Sequence, residues 1–274
     1  MTKIFAKLFE SACYWSPQIR TTLWKSWYQF LAGFYHRKDW RFMNYGYAAV
    51  EESTEEVHLD EIDADNRYCI QLYHHVVNDL DLRGFNVLEV GSGRGGGTDY
   101  IKRYFKPKTM IGVDFSENAV NFCQENYTVD GLSFKVGNAE FLPFPDDYFD
   151  TVVNVESSHC YGSIRTFFAE VKRVLCEGGY FLFTDFRSQE QLEELHRCLS
   201  QSGLDLIKET NITPNILRAL ELDSQRKTSL IEESVNRVLV QPFQEFAGIP
   251  GSKIYERFKN GETVYKSFVL QKAG

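Results

Sequence analysis

The chain is poor in the features that mark exported, metal-bound or membrane-spanning proteins. Six cysteines stand among 274 residues, at Cys13, Cys69, Cys123, Cys160, Cys176 and Cys198. None forms a CxxC pair or a close cysteine-histidine spacing, so neither a disulfide framework nor a zinc site is expected. No window holds the ~18 to 20 apolar residues of a membrane span. The opening stretch MTKIFAKLFESACYW lacks an uninterrupted apolar run of signal-peptide length. A cytoplasmic chain with reduced thiols is the expectation. Positive charge is also short, since 30 Lys and Arg against 38 Asp and Glu leave a net charge of -8. That sign works against a polyanionic backbone, so no nucleic acid partner is expected. Internal repeats and low-complexity segments are absent.

What is present is an ordinary globular composition, 43% apolar and 25% charged, at a length that suits one large α/β core with additions. Charge separates the first addition. Residues 1–41 carry seven Lys or Arg against two acids, whereas residues 51–65 carry eight acids and no Lys or Arg. All four tryptophans (Trp15, Trp24, Trp27, Trp40) also fall here, and Trp24, Trp27, Leu31 and Phe34 recur at helical spacing. An aromatic-faced helix follows, expected to pack on the main domain as a lid. Tryptophan beside basic residues also suits an interface, which adds peripheral membrane contact to the expectations.

From residue 65 helical and strand-like segments alternate, the pattern of a parallel sheet covered by helices. Helices are predicted at 66–80, 96–105, 116–127, 163–175 and 189–202. Strands are predicted at 86–90, 109–114, 132–136, 150–155, 179–184 and 204–209. Residues 211–262 are polar and helical around 214–240, before a last strand at 264–271. The predicted division is a helical lid (1–64), a cofactor-binding core (65–210), an inserted helical cap (211–262) and the final strand of the core (263–274).

Residues 87–97, VLEVGSGRGGG, run from an apolar strand through glycines into a helix. Such glycines permit a tight turn and let a ligand approach free amides at the helix N-terminus, which implies a nucleotide-containing ligand. The letters fit two patterns. Gly91, Gly93 and Gly96 match a dinucleotide fingerprint, while Gly91, Gly93 and Gly95, flanking Ser92, match the alternate-glycine turn of methyltransferases. Glu89, two residues before the turn, suits the ammonium of a bound amino acid and would repel a pyrophosphate. Asp114 ends the second strand, where a carboxylate, followed here by Phe115, accepts both ribose hydroxyls. In the segment VGNAEFLPFPDDYFDTVVNV (136–155), Asn138, Ala139 and Glu140 precede a strand that opens at Asp150 and carries Asn154 near its end.

Here the chain resembles the class I S-adenosylmethionine-dependent methyltransferases, in which the 136–155 loop clasps the adenine. The resemblance implies a Rossmann-like α/β fold with a mostly parallel seven-stranded sheet, helices on both faces, and S-adenosylmethionine as cofactor. It narrows at VVNVESSHCY (152–161), GGYFLFTDFR (178–187) and SQR (224–226), which look like the phthiotriol and phenolphthiotriol dimycocerosate methyltransferases. Those enzymes O-methylate a hydroxyl on a lipid-like polyketide, so a hydrophobic small-molecule acceptor is implied. Asn138 stands where the family carries an acid, and its carbonyl can still accept from the adenine amine.

A hydroxyl nucleophile sheds a proton during transfer, and His159, just past the strand ending near Val155, is the candidate base. Its alternative is a histidine that only hydrogen-bonds in the loop. Glu156 forms an E-x-x-H pair with His159. It is assigned to orient the histidine or close over the cofactor, and no metal is expected because the pair has no second copy. Tyr45 in NYGYA is a candidate to fold over the cofactor, with core packing as its alternative. A C- or N-methyltransferase, an NAD-dependent oxidoreductase and a non-catalytic cofactor-binding protein stay open.

Overall fold

The structure is a computed structural model, and it describes residues 40–51 and 57–274. The expected helix bearing Trp24, Trp27, Leu31 and Phe34 lies outside the described residues. The chain forms α1 (Arg67–Val77), β1 (Asn86–Val90), α2 (Gly96–Phe105), β2 (Thr109–Asp114), α3 (Glu117–Asn126) and β3 (Leu132–Val136). Then come β4 (Phe149–Val155), α4 (Ile164–Val174), β5 (Leu175–Ser188), α5 (Gln189–Ser200) and β6 (Leu204–Asn211). Helices α6 (Thr213–Leu222), α7 (Ser224–Ser234), α8 (Arg237–Phe246) and α9 (Lys253–Lys259) precede β7 (Thr263–Lys272).

Among the described residues seven strands form one sheet in the order β3-β2-β1-β4-β5-β7-β6. Neighbours from β3 to β5 pair in parallel, and β7 is antiparallel to both β5 and β6. The fold is therefore the α/β class expected. Central strands read as continuous apolar runs because both faces are covered, as in β1, where every residue after Asn86 is buried. On one face Ile70, Leu72, Tyr100, Ile216 and Phe258 join α1, α2, α6 and α9 to the sheet. On the other, Phe167, Phe168, Leu195 and Leu199 of α4 and α5 pack on β4 and β5. Serine side chains start four of these helices: Ser116 accepts from Ala119 N, Ser163 from Thr166 N, Ser252 from Tyr255 N, and Ser188 completes a capping box with Gln191.

Two elements differ from the sequence pattern. Strand β5 runs from Leu175 to Ser188, beyond the predicted 179–184 at both ends, because Phe149 of β4 pairs with Leu175 and β7 pairs from Tyr180 to Ser188, contacts that local sequence does not show. The region predicted as helical around 214–240 breaks at Asp223 and again at Val235, and α9 was not anticipated. Helix α9 is a single seven-residue amphipathic piece, capped by Ser252, whose Tyr255 and Phe258 are buried three apart.

The stretch near residue 40 is tied to the core by charge. Arg41 donates to Asp99 at 2.6 Å and to Asp63 at 3.2 Å, and Arg103 reaches the same Asp63, whose side chain is fully buried. Farther along the sheet, Phe183 stacks between Phe181 and Phe268, each pair of rings 5.4 Å apart. Truncating Phe183 to alanine is expected to lower unfolding stability by ~3 to 5 kcal/mol, because a fully buried ring leaves a cavity that close neighbours cannot fill. Urea unfolding followed by circular dichroism measures it, and a loss near zero would mean the stack does not hold the sheet.

Candidate active site

The sheet order reverses between β1 and β4, and ligands in open α/β sheets lie outside the carboxyl ends of the strands at that point. A cavity of about 260 Å³ lies there. Of the residues singled out in sequence, Gly91, Ser92, Gly93, Asp114, Phe115, Asn138, Ala139, Glu140 and Glu156 line it. Glu89, Gly95, Asn154, Tyr45 and His159 do not.

The turn itself is built without room for side chains. Gly91, Gly93 and Gly95 have φ of 79°, 53° and 78°, whereas Gly96 and Gly97 are ordinary helical residues. The left-handed set is thus the alternate-glycine pattern. A Cβ on Gly91 would stand 2.3 Å from Ser157 Oγ, and one on Gly97 would meet the Tyr73 ring at 1.9 Å. The cradle therefore brings bare backbone to the cavity wall. Ser92 adds a buried hydroxyl with no partner, the kind of group a polar ligand completes.

Behind this wall sits Glu89, fully buried, which accepts from the Tyr73 hydroxyl at 2.7 Å and from the Thr98 hydroxyl. Burial lifts its carboxyl to about 7 against those two hydrogen bonds. Expected to face a ligand's ammonium, it instead fastens α1 and α2 beneath the turn. Asp114 does face the cavity. Its carboxylate accepts from Gly93 N and Ser116 N, both at 2.8 Å, and burial raises its pKa. Asn138 Oδ1 accepts from Glu140 N at 2.9 Å, bracing its own loop, and Glu140 Oε1 accepts from Gly162 N at 2.8 Å, tying that loop to the one after β4. Phe115 remains 40% exposed, an open apolar face on the same cavity.

At the end of β4, Asn154 donates to Val90 O, Ser157 Oγ and Tyr161 OH, locking the loop that follows. Glu156 takes a left-handed φ of 47°, which turns its carboxyl back to the cavity wall. Its Oε1 accepts from Tyr45 N at 2.9 Å and from the Tyr265 hydroxyl at 2.8 Å, and burial raises it to about 7. Tyr45 thus meets the site through its backbone, while its ring packs on Phe186 and Phe258.

His159 does not pair with Glu156. Its Nδ1 donates to Asp185 Oδ1 at 2.9 Å and its ring lies 4.5 Å from that of Phe186. The same aspartate accepts from Ser158 Oγ and from His159 N, and Arg187 lies 3.1 Å away. Burial works against a charged imidazole, but Cys160 and Asp185 outweigh it and lift His159 to about 10. Asp185 is held well below the carboxylate range by Arg187 and His159, again against burial. The neutral histidine of ordinary pKa expected from sequence is therefore replaced by an ion-paired one. Among the described residues no group of three His, Cys, Asp or Glu side chains is placed to hold a metal.

Sequence reasoning missed several cavity residues: Arg41, Phe42, Met43 and Asn44 ahead of the core, Tyr73 on α1, and Cys160 and Tyr161 past β4. Only NYGYA hinted at the first group. Tyr73 carries no spacing signal, because its link to Glu89 exists only after α1 packs on β1.

A sheet of this order, with an alternate-glycine turn after β1 and a carboxylate ending β2, defines a class I S-adenosylmethionine-dependent methyltransferase. Residues 88–183 match the methyltransferase domain family. The chain is 38% identical over 231 residues to a fatty-acid O-methyltransferase of Mycolicibacterium smegmatis, covering 84% of this chain and 83% of the relative. It is 33% identical over 250 residues to a phthiotriol/phenolphthiotriol dimycocerosates methyltransferase of Mycobacterium tuberculosis, covering 91% and 92%. In fold it is similar to a cyclopropane synthase of Mycobacterium tuberculosis, with a TM-score of 0.68 at 15% identity over 89% of this chain and 97% of that one. A geranyl diphosphate C-methyltransferase of Streptomyces coelicolor gives 0.63 at 18% identity, over 90% and 98%. The chain belongs to the S-adenosylmethionine-dependent methyltransferase family that includes the phthiotriol/phenolphthiotriol dimycocerosates methyltransferases. With that, the oxidoreductase alternative falls away.

Asp114→Ala is expected to lower affinity for S-adenosylhomocysteine by at least ~100-fold, since charge-assisted hydrogen bonds contribute ~1.5 to 3 kcal/mol each and two ribose hydroxyls would lose their acceptor. Titration calorimetry gives the answer, and an unchanged affinity would remove Asp114 from the site.

Proposed function

We propose that this methyltransferase acts on a hydroxyl of a hydrophobic acceptor, a lipid-, polyketide- or terpenoid-like molecule. The observation that carries the reading is the His159–Asp185 pair just past the carboxyl end of β4, with His159 lying in the chain between Glu156 and Cys160, which both line the cavity. S-adenosylmethionine supplies a methyl group on a sulfonium, leaving as a neutral thioether. An aliphatic hydroxyl must lose its proton as the oxygen-carbon bond forms, and His159 is the group that takes it. Asp185 fixes the imidazole's tautomer and balances the imidazolium, with Arg187 and Ser158 holding the aspartate in turn. Glu156, clasped by Tyr45 and Tyr265, closes the wall beside it.

On the cofactor side, the backbone of Gly91, Ser92 and Gly93 receives the amino-acid portion and Asp114 the ribose. Phe115, Asn138, Ala139 and Glu140 surround the adenine. Glu89, Gly95, Asn154 and Tyr45 act from behind, by holding the turn, the loop after β4 and the residue 40–45 stretch in place. Residues 65–210 form this half, and residues 1–64 and 211–262 the acceptor half, with the N-terminal aromatic region collecting an acceptor from a membrane surface in the cytoplasm. Relatives named for fatty-acid and phthiotriol substrates support a lipid acceptor.

A second reading is favoured by the fatty-acid relative: transfer to a carboxylate. A carboxylate is already ionised and needs no base, which separates the two. On a hydroxyl acceptor His159→Ala is expected to lower kcat by ~10² to 10⁴ with affinity for S-adenosylhomocysteine unchanged. On a carboxylate acceptor it should change little. A mutant that keeps most of its turnover on the true acceptor would sink the base assignment.

The pH profile follows from the ion pair. Because the imidazole pKa is raised, the basic form is scarce at neutral pH, and the rate should climb on going alkaline and fall as pH drops through the raised pKa. Asp185→Asn removes one cause of the elevation and should shift that limb to lower pH. A flat profile from pH 7 to 9 in the wild type, at saturating acceptor, would contradict the assignment.

A further inference from the structure

Glu89, the carboxylate expected to meet the ammonium of a bound amino acid, is sealed beneath the turn by Tyr73 and Thr98. Acceptors for a cation stand elsewhere on the cavity wall. Glu156 and Asn44 both line it, and the peptide joining Asn44 to Tyr45 lies against Glu156, because Tyr45 N donates to Glu156 Oε1 at 2.9 Å. Ser157, the next residue, stands so near Gly91 that a Cβ there would come within 2.3 Å of its Oγ. Asn44 and Glu156 are therefore neighbours beside the glycine turn. Asn44 also borders a smaller cavity of about 50 Å³ next to the first.

Both residues offer oxygen that lacks a donor. Asn44 Nδ2 donates to Cys69 O at 3.3 Å, which leaves Oδ1 as the free end of the amide. That oxygen is buried, on a residue only 9% exposed, and has no hydrogen-bond partner among the described residues. The hydrogen bonds to Glu156 from Tyr45 N and the Tyr265 hydroxyl both fall on Oε1, and none among the described residues reaches Oε2. A buried acceptor without a donor is costly, and in native structures it is commonly completed by a ligand or a water. Glu156 is also held at a left-handed φ of 47°, a conformation that a non-glycine residue keeps at a cost and that gathers at ligand sites. An ammonium fits such a pair, since it brings three hydrogens and a charge that a carboxylate balances.

We infer that Asn44 Oδ1 and the Glu156 carboxyl hold the ammonium of the cofactor's amino-acid portion, an assignment that rests on the reading of this cavity as the S-adenosylmethionine site. The place left by Glu89 is thus taken by one residue ahead of the core and one past β4. A sulfonium has no hydrogen to give Asn44, so the ammonium is the cation of the cofactor that completes both residues.

One consequence is a proton. Burial lifts Glu156 to about 7, and a bound ammonium favours its carboxylate, so binding near neutral pH expels a proton from it. The titratable groups around Glu156 are Tyr45, Cys69 and Tyr73, His159, Asp185 and Tyr265. None of these changes charge near pH 7: burial raises the three tyrosines and the thiol, His159 stands at about 10, and Asp185 is held low by Arg187 and His159. Glu89 also stands at about 7 but lies beneath the turn, so replacing Glu156 alone isolates its proton.

Calorimetry on the full chain compares S-adenosylhomocysteine with its desamino analogue, in which hydrogen replaces the ammonium while carboxylate, ribose and adenine are kept. Neither probe carries a sulfonium. The wild type should bind S-adenosylhomocysteine at least about tenfold more tightly than the analogue. Glu156→Gln, which keeps an oxygen for Tyr45 and Tyr265, and separately Asn44→Leu should each weaken S-adenosylhomocysteine about tenfold and leave the analogue within about twofold. At pH 7 the proton release on binding S-adenosylhomocysteine, read from the heats in phosphate and Tris buffers, should be smaller by about half a proton in Glu156→Gln. Equal wild-type affinity for the two ligands overturns the inference, and so does unchanged S-adenosylhomocysteine affinity in either variant or unchanged proton release in Glu156→Gln. A parallel loss of both ligands in either variant overturns it too, because it shows a residue that only shapes the wall. A wild type that binds neither ligand overturns the cofactor site itself and the assignment with it.

Discussion

The glycines of the turn between β1 and α2 have no space for a side chain, and much of the site is arranged around that fact. Ser157 presses on Gly91, Tyr73 on Gly97, and Cys123 and Phe134 on Gly95, each so near that a Cβ would collide. Those neighbours come from the loop after β4, from α1, and from α3 with β3. Packing against bare backbone thus draws four parts of the chain to one point. The same closeness leaves bare backbone on the other side, where the cavity lies. A tight turn that seals the core behind it and opens polar backbone in front is the physical basis of a nucleotide site.

Buried charge then decides how the stretch ahead of the core is held. Arg41 reaches Asp63 and Asp99, Glu156 receives the backbone of Tyr45, and Lys227 takes the Tyr45 carbonyl. Residues 40–45 are therefore clasped from α2, from the β4 loop and from α7 at once. Each clasp carries desolvation costs, and pairing with a partner already in place is what makes such charges tolerable in the interior. The result is a wall shared by the larger cavity and the smaller one beside it.

The chemistry follows a similar economy. His159 and Glu156 are separated in the sequence by two residues, yet they turn to different partners, one to Asp185 and one to Tyr265. The left-handed backbone at Glu156 sends the carboxyl to the cavity wall, and the short turn after it delivers the histidine to β5. Two titratable groups held by different partners therefore flank one strand end.

Much of this was written in local sequence. The limits of β1, α2, β2 and β3 are those of their apolar runs and turn residues, because hydrogen bonding there is with immediate neighbours in a parallel sheet. The place of Gly91, Asp114 and Asn138 on the cavity wall was legible too, as each stands within a few residues of a strand end. The length of β5, the existence of α9, the role of Tyr73 and the partner of His159 were not legible. Each depends on a residue far along the chain, with β7, β5 and α1 supplying what no window of sequence contains. Local sequence set the limits of β1, α2, β2 and β3 and the glycine turn at the cavity. Only tertiary packing decided which buried oxygen found a donor, since burial and pairing are properties of where segments meet and not of their order.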